Sequence, residues 1–170
     1  MRVRVAMLVA GAVLLGGCSS GVEGSPVDAE RWDPCSISPD AIAAAGLDPE
    51  YRNEGWGTGL VVEEWAKCSF KPPGTEVPYF LSVVSTVDHT IDEARRNSSN
   101  IDGRDIEVAD RDGFQYRTRV GNTGRSCDIA VDLPPGVVVF AVLDMEELAD
   151  NELCRLVLEH TNDLAASLPK

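Results

Sequence analysis

The sequence predicts an α+β domain: a mostly antiparallel sheet of about five to six strands, helices packed on one face, and two disulfides. Three observations carry this. β-favouring segments, such as Tyr79 to Val87 and Cys127 to Leu133, are separated by hairpin-length turns rather than crossover helices. Two internal stretches carry helix-start signals, and the C-terminal stretch carries an apolar stripe of helical period. Cys35, Cys68, Cys127 and Cys154 form an even set once Cys18 is set apart.

The chain divides into a leader (1–17), a tether beginning at Cys18 (18–31) and a single domain (32–170). Met1-Arg2-Val3-Arg4 is a short positive start, and Val5 to Leu15 is an eleven-residue apolar run. At about 1.5 Å per residue, such a helix reaches about half of a ~30 Å hydrocarbon core. It therefore reads as the hydrophobic part of a signal peptide rather than a permanent span. Ser19 to Glu30 is rich in Gly, Ser, Pro and Glu without hydrophobic period. It reads as a flexible tether with a reach of about 20 Å.

Within the domain, Ser38-Pro39-Asp40 starts a helix, with Ser38 as N-cap and Pro39 at the first helical position; Ala41 to Ala45 propagates it and Gly46 ends it. Arg52 to Gly59 is a glycine-rich loop, and Leu60 to Phe70 reads as a strand or strand pair. Lys71-Pro72-Pro73-Gly74 breaks the chain before the strand Tyr79 to Val87. Asp88 to Asn97 reads as a short helix capped by Asp88 or Thr90. After a turn at Asn100 to Gly103, strands at Arg104 to Val108 and Phe114 to Arg119 flank a turn at Asp110-Arg111-Asp112-Gly113. Gly121-Asn122-Thr123-Gly124 is a further turn. Cys127, Ile129, Val131 and Leu133 then alternate with Asp128, Ala130 and Asp132, a pattern with one buried face. Pro134-Pro135-Gly136 leads into a central strand, Val137 to Leu143. A helix from about Glu147 to Leu168 closes the domain on Leu153, Val157, Thr161, Leu164 and Leu168, with His160 at its edge.

Removing residues 1–17 takes away Arg2, Arg4 and no acid, leaving 153 residues and moving the net charge from −13 to −15. That acidity argues against nucleic-acid binding, which needs clustered Lys and Arg, and against docking on anionic headgroups. The catalytic constellations fail one by one. His89 has Ser82, Ser85 and Ser98 within sequence reach, but none lies in a nucleophile elbow. Neither histidine belongs to an HExxH pair, and Asp110-Arg111-Asp112-Gly113 lacks the remaining ligands of a calcium loop. Asp144, Glu146, Glu147, Asp150 and Glu152 cluster where acids favour a helix N-terminus. Glu63 and Glu64, adjacent in a strand, would point to opposite faces and could not flank one glycosidic bond. No cofactor and no metal is expected, and no enzyme activity. The candidate ligand contact is Trp56, an aromatic in the loop Gly55-Trp56-Gly57-Thr58-Gly59.

Leu15-Gly16-Gly17-Cys18 resembles a bacterial lipobox. The resemblance implies a diacylglycerol thioether on Cys18, which would become the mature N-terminus and hold the domain on the extracytoplasmic face of the cell membrane. Further along, Trp32-Asp33-Pro34-Cys35 before a capped helix, Cys68-Ser69-Phe70, a Cys127 strand and a Cys154 helix ending Leu168-Pro169 together resemble one set of actinobacterial secreted lipoproteins. That set is catalogued as a domain of unknown function. The resemblance spans nearly the whole mature chain and implies two disulfides, but brings no catalytic residues. The expected role is that of a non-catalytic binding or accessory module with an envelope protein, glycan or lipid as partner; the alternative is a cell-envelope hydrolase.

Four extracytoplasmic cysteines allow three pairings. A Cys₄ zinc site is disfavoured because no C-x-x-C is present. Sequential pairing, Cys35–Cys68 and Cys127–Cys154, closes loops of 33 and 27 residues, each stabilising by roughly 3–4 kcal/mol in the chain-entropy account. Non-reducing peptide mapping is expected to recover these two linked peptides; a Cys35–Cys127 peptide would overturn the pairing.

Overall fold

The computed structural model describes residues 30–120 and 124–170. The leader, Cys18, nearly all of the tether and most of the turn at 121–124 lie outside the described residues. Seven strands form one antiparallel sheet: β1 (Asn53–Glu54), β2 (Ala66–Phe70), β3 (Tyr79–Thr86), β4 (Ile101–Val108), β5 (Arg111–Val120), β6 (Gly124–Leu133) and β7 (Gly136–Asp144). Their spatial order is β1-β2-β3-β7-β6-β5-β4. Among the described residues three α-helices accompany them, α1 (Pro39–Ala44), α2 (Ile91–Arg96) and α3 (Asp150–Leu164). No helix among the described residues is long and apolar enough to cross a membrane.

The predicted helix signals operate as local chemistry requires. Ser38 Oγ accepts from the Ala41 N–H at 3.2 Å, and Gly46 ends α1 with φ at +74°. Thr90, rather than Asp88, caps α2 through a reciprocal box with Glu93. The last helix starts later than the sequence predicts, at Asp150. Asp144 Oδ1 accepts from the N–H groups of Glu146 at 3.2 Å and Leu148 at 2.9 Å, which holds 145–149 as a loop.

Other differences arise from pairing. The sheet contains the five to six strands expected plus the two-residue β1, inside the stretch read as loop. Only Ala66–Phe70 of the predicted 60–70 strand is paired. Its partner β1 reaches no further than Glu54↔Cys68, and Trp65 N–H turns back onto the Val62 carbonyl at 3.2 Å. Leu60 and Val61 are left 64% and 81% exposed. The β4–β5 turn is tighter than predicted: Ala109 and Asp110 both have positive φ, as a two-residue hairpin turn demands, while Asp112 and Gly113 pair within β5. The predicted turn at Asn100 to Gly103 survives as a register shift inside β4, with Asp102 at φ +53°.

The main core lies between one sheet face and α1 and α3. Leu81, Val83, Phe140, Val142, Ile129 and Val131 meet Ile42, Leu153, Val157 and Leu164. Two disulfides fasten these layers. Cys35–Cys68 ties the Pro34–Ser36 turn to β2, and Cys127–Cys154 ties α3 to β6. A second, smaller cluster of Ile91, Phe114, Tyr116, Ala130 and Val137 lies elsewhere. Ile129 belongs to the first cluster and its neighbour Ala130 to the second, so the clusters occupy opposite faces. The sequence predicts helices on one face; α1 and α3 share it, but α2 lies on the other. Phe114 and Tyr116 put two stacked rings on that second face, 5.5 Å between centroids, and Ile91 covers them.

Helix α3 also turns His160 inward instead of leaving it at the helix edge. It is buried, and its Nε2 shares a 2.8 Å hydrogen bond with the Tyr79 hydroxyl. Burial pulls its pKa down, favouring the neutral imidazole that this contact suits.

At Gly136, the first residue of β7, a Cβ would fall 1.8 Å from the Thr86 carbonyl oxygen. Gly136→Ala is therefore expected to destabilise the domain by at least about 2 kcal/mol. Urea unfolding, read as a lower midpoint at unchanged slope, checks this.

Candidate functional site

A cleft of about 390 Å³ opens between α2 and the second sheet face. Its floor is the cross-strand pair Tyr116↔Asp128, with Val137 and Val139 beside it. The next pair outward, Thr118↔Ser126, supplies hydroxyls. Ser126 Oγ donates to Asp128 at 2.8 Å and Thr118 Oγ1 donates to it at 3.1 Å. Asn97, Asn100 and Ala94 form the α2 side, and Trp65 and His89 the remaining wall.

Local sequence builds this wall economically. Glu93 Oε2 accepts from the Thr90 N–H and from His89 Nδ1, each at 3.0 Å. One carboxylate thus caps α2 and orients the imidazole. His89 Nε2 faces Glu64 at 3.4 Å, and its ring stacks on Trp65 at 5.3 Å between centroids. Burial pulls the His89 pKa down, but the hydrogen bonds to Glu93 and Glu64 outweigh it and the net shift is upward. An imidazolium, with a proton on both nitrogens, satisfies both carboxylates.

Asp128 is the most perturbed acid of the cleft. It is only 6% exposed, and no Lys, Arg or His forms a salt bridge with it among the described residues. Burial raises its pKa, the Ser126 and Thr118 hydroxyls lower it, and burial wins, pushing it up to about 6. Tyr116 is also pushed upward, by burial and then by the charge of Asp128.

The candidates from the sequence fare differently. Trp56 is half-buried in a shallower cleft of about 290 Å³ with Leu60, Val61 and Trp65. Lys67 Nζ lies 4.9 Å over its ring, and its Nε1 is buried without a hydrogen-bond partner. Ser82 Oγ bonds Ser69 Oγ at 3.0 Å and Ser85 donates to the Trp32 carbonyl, so neither hydroxyl is placed against His89. Glu63 and Glu64 lie in a loop, not a strand, and Glu64 is drawn to His89. The acidic cluster is largely taken up by arginines: Asp144 and Asp150 by Arg125, Asp150 also by Arg117, and Glu152 by Arg155. Among the described residues, no group of three or more His, Cys, Asp or Glu could hold a metal ion.

Asp128 is the residue that sequence reasoning passes over. The alternation around it reads as one buried and one solvated face. The available signal was in the neighbouring strand, where Phe114 and Tyr116 recur at period two on the same side; a face carrying two aromatics is one that something covers.

A family described as "Protein of unknown function (DUF3558)" matches residues 13–167. No curated protein matches the chain, and no solved structure does.

The raised pKa of Asp128 makes a stability prediction. Its carboxyl titrates near 3.8 in the unfolded chain and near 6 in the fold. The folded state therefore binds more protons across that interval, and this group's contribution to stability falls as pH rises from about 4 to about 6. Above pH 6 the buried charge costs on the order of 1–3 kcal/mol. Asp128→Asn is expected to raise the melting temperature at pH 7 and to lose most of that advantage at pH 4. Thermal unfolding at the two pH values reads this directly.

Proposed function

The chain belongs to the DUF3558 family of proteins of unknown function, and on that footing we propose that it is a lipid-anchored, non-catalytic binding module on the extracytoplasmic face of the cell membrane. Its ligand site is the cleft between α2 and the sheet. The observation that carries this reading is Asp128, a buried carboxylate on the floor of that cleft without a cationic partner among the described residues. Folding stability alone gives no reason to keep a charge there; ligand recognition does. A volume of about 390 Å³ suits a small molecule or one projecting group of a larger partner, such as a glycan, lipid or peptide.

Anchoring is supported by the order of Arg2, Arg4, the apolar run and Leu15-Gly16-Gly17-Cys18, and by the family match, which begins at residue 13 and so includes that motif. The other four cysteines pair with one another, which is compatible with a separate role for Cys18. One acyl chain binds a membrane only marginally, while two or more hold it durably. The non-catalytic reading is supported by His89, whose nitrogens both face carboxylates rather than a nucleophile.

Two measurements test the proposal. Cys18→Ser is expected to move the protein from the detergent phase to the aqueous phase on phase separation, and to abolish labelling by a fatty-acid probe. Native mass spectrometry of the full-length lipoprotein from its own envelope is expected to find a bound species that is missing from Ala94→Phe, which fills the cleft from α2. An unchanged partition would remove the anchor; the same bound species on both proteins would remove the cleft.

A further inference from the structure

We infer that the cleft between α2 and the sheet recognises an organic cation: an ammonium group seated on Asp128, carried on an apolar stem that lies along Val137 and Val139 beside Trp65. The inference rests on the reading of that cleft as the ligand site and adds the chemistry of what enters it.

The charge of the lining comes first. Among the described residues no Lys or Arg lines the cleft; Asp128 and Glu93 do, and the one basic group of the wall, His89, is held between Glu93 and Glu64 at the rim, away from the Asp128 carboxylate. An anionic ligand would meet an unneutralised carboxylate at the floor and two carboxylates sharing one imidazolium at the rim. The hydrogen-bonding pattern at the floor comes next. The two groups that satisfy Asp128, the hydroxyls of Ser126 and Thr118, are neutral, so its charge is solvated but not neutralised. An asparagine would accept from the same hydroxyls without that cost. The carboxylate gains its advantage only when a positive group arrives, because charge-assisted hydrogen bonds in a water-poor site are about twice as strong as neutral ones.

Shape distinguishes an organic cation from a metal ion. Among the described residues no three potential metal ligands converge here. The surfaces beside the carboxylate are instead apolar and aromatic, from Val137, Val139, Tyr116 and Trp65. Aromatic faces attract ammonium groups, and the aliphatic floor accommodates a stem. At the α2 side Asn97 Oδ1 accepts from the Ser99 N–H and Asn100 Nδ2 donates to the Ala94 carbonyl, which leaves the Asn97 amide nitrogen and the Asn100 amide oxygen for a polar continuation of the ligand.

Burial raises the proton affinity of Asp128, so proton and ammonium compete for one carboxylate. The other titratable groups facing it are Tyr116 from β5, Glu93 from α2 and His89 from the segment before α2. Tyr116 stays neutral and Glu93 stays charged at neutral pH, their shifts being upward and downward respectively. His89 gains charge as pH falls and opposes a cation in the same direction as protonation of Asp128. Replacing each residue separately resolves the two contributions.

The test uses the full-length lipoprotein in non-ionic detergent, with empty micelles as blank and titration calorimetry as readout. The probes are butylammonium and 2-phenylethylammonium, each against the alcohol of the same shape, butanol and 2-phenylethanol. At pH 7.5 each ammonium is expected to bind about ten-fold or more tightly than its alcohol. Asp128→Asn is expected to erase that difference, and Ala94→Phe to remove binding of all four probes; circular dichroism and melting confirm that both variants fold. Lowering the pH to 5 is expected to weaken ammonium binding about ten-fold in His89→Gln and somewhat more in the wild type, and to leave in Asp128→Asn only the smaller effect of His89. Equal binding of ammonium and alcohol, ammonium binding that survives Asp128→Asn, or no binding of either ammonium overturns the cation inference. The cleft's role as a ligand site is judged separately, by the co-purifying species that Ala94→Phe loses.

Discussion

Strand β6 is covered on both faces, and the rest of the domain follows from that. On one side Cys127, Ile129 and Val131 pack under α3, with the Cys127–Cys154 disulfide holding the helix to the strand. On the other side Ala130 packs with Phe114, Tyr116 and Ile91 under α2. A strand in this position cannot use the usual division into a wet and a dry face. Each of its side chains must be apolar, hydrogen-bonded or functional. Asp128 meets the second condition through two neutral hydroxyls alone, with no salt bridge to a cation among the described residues.

The helix over the second face is short, six residues, and stays in place through a few polar contacts rather than a broad apolar stripe. Glu93 closes its first turn and grips His89; Arg95 reaches Asp105 at 2.8 Å and Asp92 at 3.0 Å. Exposed ion pairs of this kind are individually weak and screened by salt. The cover over the cleft is therefore held less firmly than the α3 side, which has a disulfide and the main core. A cleft on the softer side of a rigid sheet, if it is the ligand site proposed above, can adapt without disturbing the structure that carries it.

The other face of the sheet, beside the same Thr118↔Ser126 pair, handles its acids differently. Arg125 joins Asp144 and Asp150 while Arg117 joins Asp102 and Asp150, so the ends of β5, β6 and β7 are tied to the start of α3. These acids are partnered and partly exposed, and they read as structural. Asp128 is buried and, among the described residues, not partnered by a cation. On a chain with a net charge of −13, that contrast does more to locate a site than acidity itself.

Local rules sufficed for much of this fold. Ser38-Pro39 and Gly46 delimit α1, Thr90 with Glu93 starts α2, and period-two alternation marks β3 and β6, because caps, turns and alternation act over a few residues. The two disulfides were legible as well, since four cysteines with short sequential loops leave few pairings. The location of α2 was not legible, nor was the unpaired segment 60–65, because each depends on which strand lies beside which and where pairing stops. Asp128 belongs with these. Its identity is written in the sequence, but its meaning depends on α2 crossing the face it points to. His160 is the same case on α3, placed at the edge by helical period and turned inward by Tyr79, 81 residues away. The sequence by itself determined the lipobox-like motif, the helix starts, most of the strands and the acidic charge, which are local or additive properties, and it favoured the sequential cysteine pairing without fixing it. Only the tertiary structure decided which polar groups are buried, because burial is a property of what packs above a residue and not of the residue's neighbours in the chain.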